Sequence, residues 1–303
     1  MELRHLKYFV TVAEEKSFTK AAQKLFIAQP PLSRQIQNLE QELGVVLFEK
    51  GQRPVKMTVT GEFFYQHAVK LLASAEGMKA LTQRASATYQ SLTIGFVGSL
   101  LYGLLPRILY LYRQQHPEHK IELMEMTTEQ QILALKSGEI DVGFGRMRIS
   151  DPAIQRILLR QERLMLAVHI SHPLAQKQGV HLSELIDEAI FLYPKQPQPS
   201  FAHYIRNLFS EYGLEPQRLR EVCELHLALG LVAAGEGICI VPESSQTLQF
   251  THLRYVALLD QTATSCIFML TRRFDRSDQL RQLSDCIYQV YDLAAIEYDR
   301  AII

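Results

Sequence analysis

The chain has 303 residues, a hydrophobic fraction of 47% and a formal net charge of +0. That composition excludes a disordered polymer, and the lack of any run of about 20 apolar residues argues against a helical membrane span. The length suits two or three domains. Charge is unevenly placed: residues 1–58 hold nine Lys/Arg against six Asp/Glu, a balance of +3, residues 59–90 hold +1, and the remainder is left at −4. A mildly basic head on an acidic body suits a nucleic-acid module joined to something else. The start, Met1-Glu2-Leu3-Arg4-His5, carries no apolar signal region, so the expected compartment is the cytoplasm. Cys223, Cys239, Cys266 and Cys286 form no C-x-x-C pair and read as buried small hydrophobes rather than disulfides or metal ligands.

The first helix is expected over Leu3–Glu15, where Leu6, Phe9, Val10 and Ala13 share a face. Ser17 and Thr19 are capping residues for a second helix over Lys20–Leu25. Gln29-Pro30-Pro31 ends the turn and opens a third helix, since Pro is tolerated in a first helical turn. Leu32, Ile36, Leu39 and Leu43 bury one stripe of it, and Gly44 terminates it. Two short runs, Val45–Glu49 and Val55–Thr58, flank Gly51-Gln52-Arg53-Pro54 and read as the β-ribbon wing of a winged helix-turn-helix. A long helix follows from about Thr60 to Thr88. Phe64, Ala68, Leu71, Ala75 and Met78 repeat there with coiled-coil spacing, which points to a dimerising helix.

From Ser91 the pattern becomes α/β. Strands are expected at Leu92–Val97, Ile121–Met126 and Ile140–Phe144, with helices over Leu100–Gln115 and Thr128–Ser137, a βαβαβ unit with a parallel sheet. A second unit spans about 163–268 around core strands Ala189–Leu192 and Gly237–Val241, with Leu164–Val168 and Ile267–Leu270 as connections between the two. Two such lobes leave a cleft between them, a usual place for a small ligand. The expected domains are 1–58, a winged helix-turn-helix; 59–90, a dimerising linker helix; and 91–303, a two-lobed body with lobe I at about 91–162 and 268–303 and lobe II at about 163–267.

These residues together resemble the LysR-type bacterial transcriptional regulators across the whole chain. The carrying motif is Leu6-x-x-Phe9, Ser17-Phe18-x-x-Ala21-Ala22, Gln29-Pro30-x-Leu32-Ser33-x-Gln35-Ile36, Leu39-Glu40, Leu43-Gly44 and Leu47-Phe48, closed by Thr58 and Gly61 at Thr-x-x-Gly spacing. Ile94–Leu100, Asp141–Arg146 and Leu227–Gly237 look like the regulators of catechol and benzoate degradation. The resemblance implies a two-lobed body like that of the periplasmic binding proteins and cis,cis-muconate, a planar dicarboxylate, as effector. It also implies a homotetramer built as a dimer of dimers that bends its operator, with RNA polymerase as a further partner. It suggests that Arg160 serves a second, benzoate-like ligand with a tyrosine partner, for which Tyr291 is a candidate.

A recognition helix places its N-terminal residues against bases in the major groove. Here those are Gln29, Pro30, Pro31, Ser33 and Arg34. Arg34 can pair with guanine, Gln29 with adenine, and the prolines can touch a thymine methyl. Arg53, at the wing tip, is placed to enter a minor groove, while Lys20, Lys24 and Lys56 suit phosphates. A two-fold dimer predicts double-stranded DNA with an inverted-repeat operator as partner. For the effector, Gly98-Ser99-Leu100 follows a strand and opens a helix, where N–H groups attract an anion, and Thr128 sits at the next helix start. Arg146 ends the third strand and could balance a second carboxylate. Phe201, Leu104, Leu105, Leu225 and Ile267 are candidate apolar walls. No nucleophile elbow, H-E-x-x-H or phosphate loop occurs, so an enzyme is not expected, nor is any metal or cofactor. Another small carboxylate, such as benzoate or an amino acid, stays open as the effector.

Overall fold

The computed structural model describes residues 1–49, 51, 52, 54–86, 91–196 and 200–298. They form two compact units, one of helices at the N-terminus and one α/β body.

The first unit holds α1 (Leu3–Glu15), α2 (Phe18–Lys24), α3 (Gln29–Leu43) and α4 (Val59–Ser86). Leu6, Phe9, Ala22, Leu32, Ile36, Leu39 and Leu47 bury one core, in which the Phe9 ring lies 5.1 Å from those of both Phe48 and Phe64. Ser17 caps α2 by accepting from the Lys20 N–H at 3.3 Å. Thr19 does not cap; its hydroxyl donates to Gln29 at 3.3 Å. The expected β-ribbon shrinks to one bridge, Phe48 to Met57. Glu40 holds its first arm by accepting from the N–H groups of Leu47 (2.7 Å) and Phe48 (3.2 Å). The second arm is cut short because Thr58 turns into α4: its hydroxyl donates to the Val46 carbonyl at 2.7 Å and accepts from the Gly61 N–H at 3.0 Å. A Cβ on Gly61 would collide with the Leu47 carbonyl oxygen, which explains the Thr-x-x-Gly spacing.

The heptad on α4 is divided. Phe64 and Ala68 pack into the core of their own unit, while Leu71 and Met78 are exposed. Val59 and Phe63 are exposed as well, so the apolar stripe left open is Val59, Phe63, Leu71 and Met78.

The body contains β1 (Ser91–Phe96), α5 (Leu105–Gln115), β2 (Lys120–Glu125), α6 (Thr128–Ser137), β3 (Val142–Gly145), β4 (Ile154–His169), β5 (Gly179–Val180), β6 (Ala189–Leu192), α7 (Phe201–Glu211), β7 (Arg218–Glu221), α8 (Leu225–Ala233), β8 (Ile238–Pro242), β9 (Leu253–Leu258), β10 (Thr264–Arg272) and α9 (Asp278–Leu293). The sheet runs β2-β1-β3-β10-β4-β8-β6-β7, with β9 also paired to β4 and β5 paired to β9. β1 pairs in parallel with β2 and β3, and β6 with β7 and β8, giving the two expected parallel units. The single helix expected over Leu100–Gln115 is instead a 3-10 turn, Gly98–Tyr102, followed by α5, with Pro106 in its first turn.

β4 joins the lobes. Residues 154–163 pair with β10, and residues 164–169 pair with β8 and β9. Leu164–Val168, expected as a connection, is thus a core strand of lobe II, with Leu164, Leu166, Ala167 and Val168 fully buried. The crossing ribbon lies one step earlier, at Arg160–Arg163 against Thr264–Ile267, beside a bulge between Ile267 and Phe268. Among the described residues, no helix is long and apolar enough to cross a membrane.

Candidate DNA interface and effector cleft

The first two turns of α3 present Gln29, Pro30, Pro31 and Arg34 exposed and Ser33 half-buried. Leu32, Ile36 and Leu39 lock the opposite face into the core, so the exposed set is held on a rigid element. Gln29 and Ser33 also edge a broad open groove bounded by α2, α3 and the segment from Gly44 to Val55. Lys20 and Lys56 are exposed. Lys24 departs from its phosphate role: its ammonium lies 2.7 Å from Glu15 and 3.6 Å from Glu14, and the hydrogen bond to Glu15 raises its pKa. Arg53 lies outside the described residues. Sequence reasoning missed Phe26, which is 94% exposed in the turn between α2 and α3 at φ +56°. That left-handed backbone is costly for a bulky side chain, and an uncommon φ in the sequence Leu25-Phe26-Ile27 has no composition signal.

In the body, a cavity of about 340 Å³ lies between the lobes. Ser99, Thr128, Arg146, Phe201 and Leu225 line it. Leu100 does not. It is buried in the lobe I core and borders a separate pocket of about 20 Å³ with Leu104, Leu105, Ile267, Arg160 and Tyr291. Three of the expected wall residues thus belong to that second pocket.

Thr128 is not a helix cap. Thr127 does that work, its N–H and hydroxyl exchanging bonds of 2.9 and 3.3 Å with Gln130. The Thr128 hydroxyl is therefore left buried, with the residue 2% exposed and Oγ1 without a hydrogen-bond partner. A Cβ on Gly145 would press on it, so glycine follows from that close approach.

Arg146 is 8% exposed and already engaged. Its Nε donates to Ser99 Oγ at 3.0 Å, Nη1 to Ser265 at 3.1 Å, and Nη2 lies 2.7 Å from Glu162. Its charge is thus balanced from within, with three of its five N–H donors directed at Ser99, Ser265 and Glu162. Glu162 was not read from the sequence. It is 3% exposed, accepts from the Ser244 N–H at 2.7 Å and lies 3.8 Å from Arg160. Burial pushes its carboxyl up, but Arg146, the Ser244 bond and Arg160 outweigh that and hold it below the ordinary range. Period-two burial along β4 places it on the inward face with Leu164 and Leu166, a signal visible only once 154–163 is read as strand.

Tyr102, Glu125, Tyr193, Cys223, Glu224 and His226 also line the cavity and were missed. Burial first, then Glu125 and Glu224, raise the Tyr102 pKa. Tyr102 and His226 meet across the cavity at 3.2 Å. Cys223 is exposed, unlike the buried thiol expected there. Phe201 opens α7, its ring 5.4 Å from that of Tyr193.

Residues 3–62 match the model of the bacterial regulatory helix-turn-helix protein, lysR family, and residues 87–292 match that of the LysR substrate binding domain. The chain belongs to the LysR family. This LysR-type regulator is 59% identical over 293 residues to the HTH-type transcriptional regulator BenM of Acinetobacter baylyi, covering 96% of each. It is 42% identical to CatR of Pseudomonas putida, over 95% of this chain and 99% of that one. Full-length BenM superposes with a TM-score of 0.68 at 56% identity, covering 99% and 100%. CbnR in complex with its target DNA gives 0.64 at 30%, covering 96% and 100%. The BenM effector binding domain with its effector benzoate gives 0.69 at 52%, covering 72% of this chain and 99% of that one. The LysR-type chain is thus a DNA-binding transcriptional regulator, and these relatives are regulators rather than enzymes.

Proposed function

We propose that this regulator switches genes of catechol and benzoate degradation when cis,cis-muconate enters the cleft between its lobes. The observation that carries the reading is the orphaned Thr128 hydroxyl in the cavity wall: a buried donor without a partner is costly, and a carboxylate supplies the partner. One carboxylate takes Thr128 and Ser99, whose O–H remains a donor while its oxygen accepts from Arg146. The two spare N–H groups of Arg146 take the same or the second carboxylate, and Phe201 and Leu225 supply apolar wall for the diene. The volume, about 340 Å³, falls in the range of small-molecule sites.

Gln29, Pro30, Pro31, Ser33 and Arg34 read the bases of an inverted-repeat operator, with Arg53 at the minor groove. The open stripe of α4 pairs two chains, and two dimers form a tetramer that meets RNA polymerase. Muconate favours one lobe arrangement over another and so shifts the spacing of the DNA heads. Thermal melting of the full chain against a panel of small carboxylic acids tests the effector: muconate is expected to give the largest rise. A larger rise with an amino acid, and none with muconate, overturns the assignment.

A second reading takes benzoate as effector, as in the BenM domain, at the pocket where the Arg160 guanidinium lies 5.9 Å from the Tyr291 ring. That space of about 20 Å³ holds about one water, so an aromatic acid must displace side chains to enter. Benzoate and muconate raising the melting temperature additively would place them at separate sites.

A further inference from the structure

The tightest convergence of metal-ligating side chains lies away from both sites, in the turn that ends α5. Among the described residues, His116, Glu118 and His119 bring one donor atom each within 4.8 Å of the others. Glu118 Oε1 is 3.6 Å from His116 Nδ1 and 3.6 Å from His119 Nε2. A tetrahedral ion with arms of about 2.0–2.1 Å has ligand-to-ligand edges of about 3.3–3.4 Å, so the two edges to Glu118 need to shorten by only a few tenths of an ångström, and the edge between the two imidazoles, within 4.8 Å, closes as the side chains turn.

The backbone fixes the arrangement. The His116 N–H donates to the Tyr112 carbonyl at 2.8 Å, and the His119 N–H closes the turn onto the His116 carbonyl at 3.1 Å, with Pro117 between them. Beneath lies Tyr112, fully buried, its ring centroid 4.9 Å from that of His116 and 5.8 Å from that of His119. Its hydroxyl meets His119 Nδ1 at 2.8 Å. A metal-binding imidazole is commonly oriented in this way, by a partner on the nitrogen opposite the metal. Here the nitrogen left over is the one that faces Glu118.

We propose that this turn binds one first-row divalent cation of the zinc class, through His116 Nδ1, His119 Nε2 and the Glu118 carboxylate, with water in the fourth position. Two imidazoles with one carboxylate select zinc-like ions over calcium or magnesium, which take oxygen ligands. A simple helix-end role explains His116, since a cationic imidazole suits a helix C-terminus. It gives no reason for the His119 Nε2 and the Glu118 carboxylate to converge on the same point. Tyr112 acts as a positioning residue.

The test uses tag-free, full-length protein stripped with EDTA and titrated with zinc chloride by calorimetry, with cobalt absorption as a geometry probe. One equivalent of zinc per chain is expected, with the visible bands of four-coordinate cobalt. Glu118→Gln and His116→Ala are each expected to weaken binding at least tenfold. Tyr112→Phe is expected to weaken it about tenfold while keeping one equivalent. Glu118 is exposed, so the melting temperature of Glu118→Gln in EDTA checks that the fold is intact, and this variant decides the matter if His116→Ala does not fold. No zinc uptake by the wild type, or unchanged affinity in Glu118→Gln, overturns the proposal.

Discussion

Arginine is used in opposite ways in the two units. Arg34 stands exposed on the second turn of α3, and among the described residues nothing holds it; Arg146 is buried and held by Ser99, Ser265 and Glu162. On the proposed reading, the difference follows from the partner each surface would meet. A base edge arrives from water and needs a guanidinium whose donors are all available, so stiffness comes from the helix beneath it. A cleft that must stay closed to water cannot keep a bare cation, because burying an unpaired charge is far more costly than burying a paired one. The body neutralises Arg146 internally, through Ser99, Ser265 and Glu162.

The largest expected effect breaks the paired side of this comparison. Glu162→Ala leaves Arg146 buried without its counter-ion and is expected to destabilise the body by about 3–5 kcal/mol in urea unfolding of the full chain. The same carboxylate sets an acid limit. Its folded pKa is depressed, so its contribution is complete above the ordinary value of 4.5 and is lost as pH falls through the folded value. Acid unfolding is thus expected to begin below that value; a Glu162→Gln chain with the wild-type acid profile would remove the argument.

Next comes the exposed arginine. Arg34→Ala is expected to cost about 1–3 kcal/mol on the operator and little on random DNA in gel-shift titrations. Equal loss on both would reassign Arg34 to phosphate contact. Thr128→Ala then sharpens the cleft reading: muconate affinity is expected to fall by at least about 1.5 kcal/mol by calorimetry, with operator affinity unchanged when no effector is present. The smallest effect concerns Phe26. Replacement by Asn, which tolerates a left-handed backbone, is expected to stabilise the first unit by about 1 kcal/mol, a rise of a few degrees in its melting midpoint.

Much of this molecule was legible in its sequence, for identifiable reasons. Leu6, Phe9, Leu32, Ile36 and Leu39 recur at helical spacing, and strands β1, β3, β6 and β8 are short apolar runs bounded by polar or glycine residues, so local pattern and burial agree. Ser99, Thr128, Arg146 and Phe201 could be picked as cavity residues because each lies at or just beyond an element end, where loops meet a cleft. Local pattern could not say that Leu100 turns inward, that Phe64 and Ala68 pack into the core of their own unit, or that β4 carries one buried carboxylate to the Arg146 guanidinium. Each of these depends on which distant segment packs against the residue. Hydrophobic period specifies a face, whereas a charge's partner, a hydroxyl's isolation and a ligand's room are set by long-range packing that the period does not encode.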